Sequence, residues 1–285
     1  MRSALSASFA TALLIVAPPP VSAQAPQDPP ALLAIYREEV KPGKGAAHTA
    51  NEVNWAAMMA KAEWTTGWLG TVSVTGPSEA WFFSGFPSIE EYNKDRLAQD
   101  AAEPLRDAEK YSALDGELLV RTSTMFAAYR ADLSYQPKVA LPKMRYFSVD
   151  TITVKPGYAG DFAERWREIV AAHTTAKMDE HWAVYEVTSG AAAGTFLFFY
   201  PMESLAPLDA SPEKHRAAPY REAVGEQGRA RNTQLTKDAV LSQQNRILAF
   251  NPKMSYLGKD WVDGDPEFWT VKPAAATPAK PAKKN

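Results

Sequence analysis

His173 is the first residue whose placement suggests chemistry. Phe162, Trp166, Ile169 and His173 recur at helical spacing, which sets an imidazole within an apolar stripe while Glu164 and Glu168 point the other way. Two readings follow: a hydrogen-bonded core histidine, or a general base or axial haem ligand facing an apolar pocket. Moved back by 114 residues, the stripe becomes His48, Glu52, Trp55 and Met59. An imidazole one helical turn from a carboxylate is a workable general-base pair, because the carboxylate orients the ring and raises its basicity. A second apolar stripe on the same segment, Ala50, Val53, Ala57, Ala60 and Trp64, competes for the buried side. If that stripe faces the core, His48 and Glu52 are surface residues.

Further candidates come from strands. Tyr36, Glu38 and Val40 correspond to Asp150, Ile152 and Val154, so Glu38 or Asp150 is either a pocket carboxylate with a raised pKa or an edge-of-sheet residue. Trp55, Trp68, Trp166 and Trp182, with Tyr36, are expected as pocket walls or core wedges, since an indole buries a large area and needs one acceptor. His181 reads as a strand-end surface residue. Four histidines with no HExxH pair and no cysteine show no zinc-ligand spacing, and no metal ligand is assigned. Nucleophile elbows, phosphate-cradling loops and dinucleotide fingerprints are also absent from the sequence.

The elements that position these residues are written twice. Val40-Lys41-Pro42-Gly43 recurs as Val154-Lys155-Pro156-Gly157, and the same offset carries Trp68 onto Trp182, Gly76 onto Gly190, Phe82 onto Phe196 and Pro87 onto Pro201. Leu133-Ser134-Tyr135 matches Met254-Ser255-Tyr256 at an offset of 121, which puts about seven extra residues in the second copy between Pro207 and Gln234. Each copy reads as a strand ending in the Lys-Pro-Gly turn, a helix, two strands, a second helical stretch and a last strand. Ser88 with Glu91 fits a capping box at the start of that second stretch. The order β-α-β-β-α-β makes the fold class α+β, two tandem ferredoxin-like units whose apolar sheet faces cover each other.

The strand, Lys-Pro-Gly, helix and Trp-strand units resemble the dimeric α+β barrel superfamily, including its antibiotic-biosynthesis-monooxygenase and NIPSNAP-like groups, over about Ala31 to Tyr256. The resemblance implies an internal pseudo-dimeric α+β barrel with a pocket between helices and sheet in each half. Its members include oxygenases, isomerases and haem proteins, so it implies no single activity. The expected function is a small-molecule-binding protein, a cofactor-independent oxygenase or isomerase-like enzyme acting on a small apolar or aromatic compound. Catalysis would rest on His48 with Glu52, or on His173. The alternatives are a haem-binding protein and a non-catalytic interaction module.

The expected organisation is a signal peptide over 1–25, repeats over 26–138 and 139–260, and a C-terminal extension over 261–285. Arg2, the apolar run Ala10 to Ala17 and small residues up to Ala25 have the layout of a secretory signal cleaved after Ala23 or Ala25, implying a periplasmic or secreted protein. No integral membrane segment is expected after cleavage. Lys272 to Asn285 is Pro/Ala/Lys low complexity, expected to be a disordered tail. Without Arg2 and the four tail lysines the chain carries 26 basic and 33 acidic side chains, a formal charge of −7. That balance opposes binding to nucleic acid.

Overall fold

A computed structural model describes residues 28–102 and 108–271. The Lys-Pro-Gly turns form as expected: Gly43 and Gly157 take φ of 78° and 89°, a region open to a residue without Cβ. They join β1 (Leu32–Val40) to α1 (Gly45–Lys61) and β5 (Tyr146–Val154) to α4 (Ala159–Ala176). The first half continues through β2 (Leu69–Ser73), β3 (Glu79–Phe86), α2 (Ile89–Ala101), α3 (Ala108–Leu118) and β4 (Leu119–Tyr129). Ser88 caps α2 by accepting from the Glu91 amide. The second half continues through β6 (Ala183–Ser189), β7 (Thr195–Met202), α5 (Ala206–Arg216), α6 (Ala218–Ala239) and β8 (Val240–Phe250). Its extra residues fall in α6, which has 22 residues where α3 has 11.

The eight strands close into an antiparallel barrel of order β1-β3-β2-β8-β5-β7-β6-β4. Each half contributes a four-stranded ferredoxin-like sheet, and the halves join by backbone pairing at two seams, β2 with β8 and β4 with β6. The apolar faces therefore do not meet as two stacked sheets. Seam pairing removes the edges that a stack would leave open, and the two faces become one barrel interior. Register shifts after Glu39 and after Thr153, equivalent positions, show that the repeat extends to its irregularities.

Alternation along the strands divides the barrel. Ile35, Trp81, Phe83, Met125, Phe147, Val149, Tyr185, Leu197, Phe199, Leu248 and Phe250 fill the interior. Phe83, Phe147 and Phe199 meet edge to face, and each such side chain contributes about 1.5–3 kcal/mol on burial. Residues of the other parity, among them Tyr36, Glu38, Asp150 and Ile152, face outward beneath the helices.

Each repeat ends by lacing onto the other. Tyr135 bridges Trp182 and Tyr256 bridges Trp68 through backbone hydrogen bonds. The two indoles donate to the carbonyls of Leu133 and Met254, each at 2.8 Å. The extension after residue 258 is part of the same core: α7 (Lys259–Gly264) and α8 (Pro266–Trp269) set Trp269 against the barrel interior, its indole donating to the Pro142 carbonyl at 2.7 Å. The signal and tail expectations at 1–25 and 272–285 lie outside the described residues.

Candidate functional site

A cavity of about 690 Å³ lies between the outward face of β1 and β3 and the helices α1, α2 and α3. Tyr36 and Glu38 from β1, Glu52 and Trp55 from α1, and Trp68 before β2 line it. The contest between the two stripes of α1 resolves in favour of the polar one: His48 is 2% and Glu52 5% exposed, whereas Val53 is 41% exposed. The reason lies on the strand beneath. Glu38 stands where the second half has Ile152, and it gives the His48 imidazole a partner, with Nε2 2.7 Å from Oε2.

Glu38 and Glu52 front the cavity, and His48 lies behind them. Glu52 Oε1 is 3.7 Å from His48 Nε2 and makes no hydrogen bond. Burial first, then the charges of Glu38 and Asp115, push its carboxyl up to about 9. Asp115, a buried carboxylate on α3, accepts from Asn51 Nδ2 at 2.6 Å and from the Trp55 indole at 3.0 Å, which fixes that cavity wall. At neutral pH the wall therefore presents the Glu52 carboxylic acid beside the Glu38–His48 pair.

The second half has a cavity of about 1080 Å³ between β5, β7 and the helices α4, α5 and α6. Asp150, Trp166, His173 and Trp182 line it. Phe162 and Trp166, the counterparts of His48 and Glu52, pack on Phe196 and Phe198 with ring centroids 4.8 and 4.3 Å apart. Aromatic rings thus replace the polar pair on that part of the cavity wall, and His173 lies at the other end of α4. His173 Nδ1 bonds the Ile169 carbonyl at 2.8 Å, while Nε2 faces Glu180 at 3.0 Å. His215 on α5 reaches the same Glu180 oxygen at 3.2 Å. Burial opposes charge on Glu180, but hydrogen bonds and charge from the two histidines outweigh it and hold the carboxyl at about 2. Burial raises the Asp150 carboxyl, partly offset by a hydrogen bond from Asn245.

Among solved structures, a "putative monooxygenase" from Fusobacterium nucleatum subsp. nucleatum is 15% identical, with a TM-score of 0.50 covering 77% of this chain and 91% of that one. An anthrone oxidase-like protein is 12% identical, with a TM-score of 0.50 over 81% and 93% of the two chains. A mutant chlorite dismutase from Candidatus Nitrospira defluvii is 7% identical at a TM-score of 0.46 over 79% and 92%. The chain has the fold of the dimeric α+β barrel superfamily. It carries both halves of that barrel in one polypeptide. At these identities the likeness speaks to fold alone. No protein-family model and no curated protein matches the chain in sequence.

Within this dimeric α+β barrel, a porphyrin on His173 does not fit. The imidazole Nε2 faces Glu180, and the rings of His215 and Tyr220 stand 5.7 and 4.7 Å from that of His173. An iron held on Nε2 would have to displace the Glu180 oxygen that faces that nitrogen at 3.0 Å. Among the described residues, two smaller groupings could hold a metal ion: Glu38, His48 and Glu52 in one half, and His173, Glu180 and His215 in the other, each with ligand atoms within 4.8 Å of one another. Glu180, His215 and Tyr220 escaped the sequence reading because the first comes from a loop and the others from the stretch between Pro207 and Gln234, where that reading puts the extra residues. His181 is 38% exposed on its side chain, as a strand-end residue should be.

Proposed function

We propose that the first-half cavity binds a small, largely aromatic molecule and moves a proton on it, as a cofactor-independent oxygenase or isomerase-like enzyme does. The observation that carries this reading is the pairing on one wall of a carboxyl held neutral, Glu52, with the Glu38–His48 pair. In the proposed step Glu38 removes a proton from a carbon next to a carbonyl, and the C–H electron pair shifts onto the carbonyl oxygen. The Glu52 O–H donates a hydrogen bond to that oxygen. His48 keeps Glu38 oriented. Return of the proton to another carbon completes an isomerisation; alternatively dioxygen takes the carbanion's electron pair to form a C–O bond, and the proton on Glu38 passes to the outer oxygen to give a hydroperoxide. Trp55, Trp68 and Tyr36 exclude water and stack on the ring.

The interaction-module reading requires His48 and Glu52 on the surface, and both are buried beside a cavity. Native mass spectrometry of the protein purified undenatured from its own source should show retained small-molecule mass. In D2O the protein should accelerate exchange of the acidic proton of an aromatic ketone, and Glu38→Gln should slow it by roughly 10²–10⁴-fold. A clean apo mass together with exchange no faster than in Glu38→Gln sinks the reading.

Export belongs to the same proposal. Arg2 and the run Ala10 to Ala17 support cleavage after Ala23 or Ala25 and a periplasmic or secreted mature chain. No helix among the described residues is long and apolar enough to cross a membrane. The intact mass of protein recovered from each cell fraction tests it.

A further inference from the structure

We infer that the second half holds a mononuclear divalent transition-metal site, ligated by His173 Nε2, a Glu180 oxygen and His215 Nε2, with its open positions facing the large cavity. The three ligands come from the last turn of α4, the loop before Trp182 and the end of α5, so no local spacing in the chain announces them. Their convergence is tight. Glu180 Oε2 lies 3.0 Å from one imidazole nitrogen and 3.2 Å from the other. Metal–ligand bonds of about 2.0–2.1 Å put neighbouring ligand atoms roughly 2.9 Å apart in octahedral and 3.3 Å apart in tetrahedral geometry. The three ligand atoms, all within 4.8 Å of one another, need only contract around an ion.

The support behind the ligands has the form that metal sites use. His173 is 2% exposed and its Nδ1 is engaged by the Ile169 carbonyl, which orients Nε2 towards Glu180 and leaves that nitrogen to take the ion. The Tyr220 ring packs on both imidazoles at 4.7 and 5.1 Å and limits their rotation. Lys214, next to His215, donates to the Asp179 carbonyl at 3.1 Å and ties α5 to the loop that carries Glu180. Two imidazoles with one carboxylate suit zinc or ferrous iron rather than calcium or magnesium, and three protein ligands leave room for water or a substrate oxygen.

The repeat provides an internal control. At the offset of 114, His173, Glu180 and His215 become Met59, Thr66 and Ala101. The cluster is therefore peculiar to one half, as expected of a site acquired after the halves diverged.

Isothermal titration of the chelator-stripped full chain with Zn2+ tests the assignment. One equivalent should bind, and Glu180→Gln and His215→Ala should each weaken it by at least the roughly 10–100-fold that loss of a supporting group costs. Glu52→Gln, in the other half, should leave binding unchanged. X-ray absorption of the zinc-loaded wild type should show two imidazoles in the coordination shell, a readout that needs no variant to fold. Absent uptake, uptake indifferent to both substitutions, loss in Glu52→Gln instead, or a shell with one imidazole would each overturn the site.

Discussion

Glu52 stands one helical turn beyond His48, its Oε1 3.7 Å from the Nε2 that already engages Glu38 at 2.7 Å. One imidazole thus serves two carboxylates, and the one left without the close contact is the one driven neutral. Burying a second full charge there would cost more than a single partly shared imidazole returns.

That neutrality has a sign that can be measured. The Glu52 carboxyl is held at about 9 in the folded chain against an ordinary 4.5. Below about 4.5 both states carry the proton and its effect on stability is fully favourable. As pH rises from there towards 9 the unfolded chain releases the proton and the folded chain keeps it, so stability falls, by at most about 1.4 kcal/mol per pH unit. Thermal unfolding between pH 5 and 9 should show a declining Tm in the wild type and a flatter profile in Glu52→Gln, with the variant the more stable at pH 9. Parallel profiles would refute a neutral Glu52.

A different buried carboxylate should behave in the opposite way to removal. Glu79, 4% exposed, accepts from Arg37 Nη2 at 3.0 and 3.2 Å and from the Trp81 indole at 2.8 Å, and pairs with Arg246 at 3.1 Å. Burial already lowers the Arg37 guanidinium, and Glu79 is what offsets that cost. Glu79→Ala leaves two guanidinium groups unbalanced and should cost about 3–5 kcal/mol in urea unfolding. A loss within about 0.5 kcal/mol would show that solvent reaches the cluster.

The repeat made much of this architecture legible. Lys-Pro-Gly turns, paired tryptophans and the matched Tyr135 and Tyr256 all occupy equivalent places, because those residues hold backbone geometry that both copies need. The site was legible only in pieces. One stripe of α1 is wholly apolar and the other only half so, yet the second is buried, because Glu38, on a neighbouring strand with no periodic relation to the helix, gives His48 a partner. His215 was hidden for a related reason: it meets Glu180 and His173 only through the tertiary docking of α5.

The two lacing tryptophans give a prediction that isolates one hydrogen bond. Trp68→Phe and Trp182→Phe each keep an aromatic ring but leave a carbonyl, Met254 or Leu133, without its indole donor. Trp182 is 2% exposed, so water cannot readily replace the bond at the Leu133 carbonyl. Denaturant unfolding should report a loss of about 1–3 kcal/mol for Trp182→Phe and a smaller one for Trp68→Phe, whose surroundings are more open. Equal losses would mean that ring volume, rather than the hydrogen bond, sets the cost.

Haem binding gives the last prediction, because His173 invites it on sequence and the structure opposes it. The nitrogen that would ligate iron faces Glu180 at 3.0 Å, with His215 on the same oxygen and Tyr220 packed alongside. A flat macrocycle needs that space, whereas a single ion does not. Hemin added to the stripped full chain should give no histidine-ligated Soret band, and His173→Ala should leave that spectrum unchanged. A one-to-one Soret shift abolished by His173→Ala would show that Glu180 and α5 swing aside, and it would return the second-half cavity to a haem pocket.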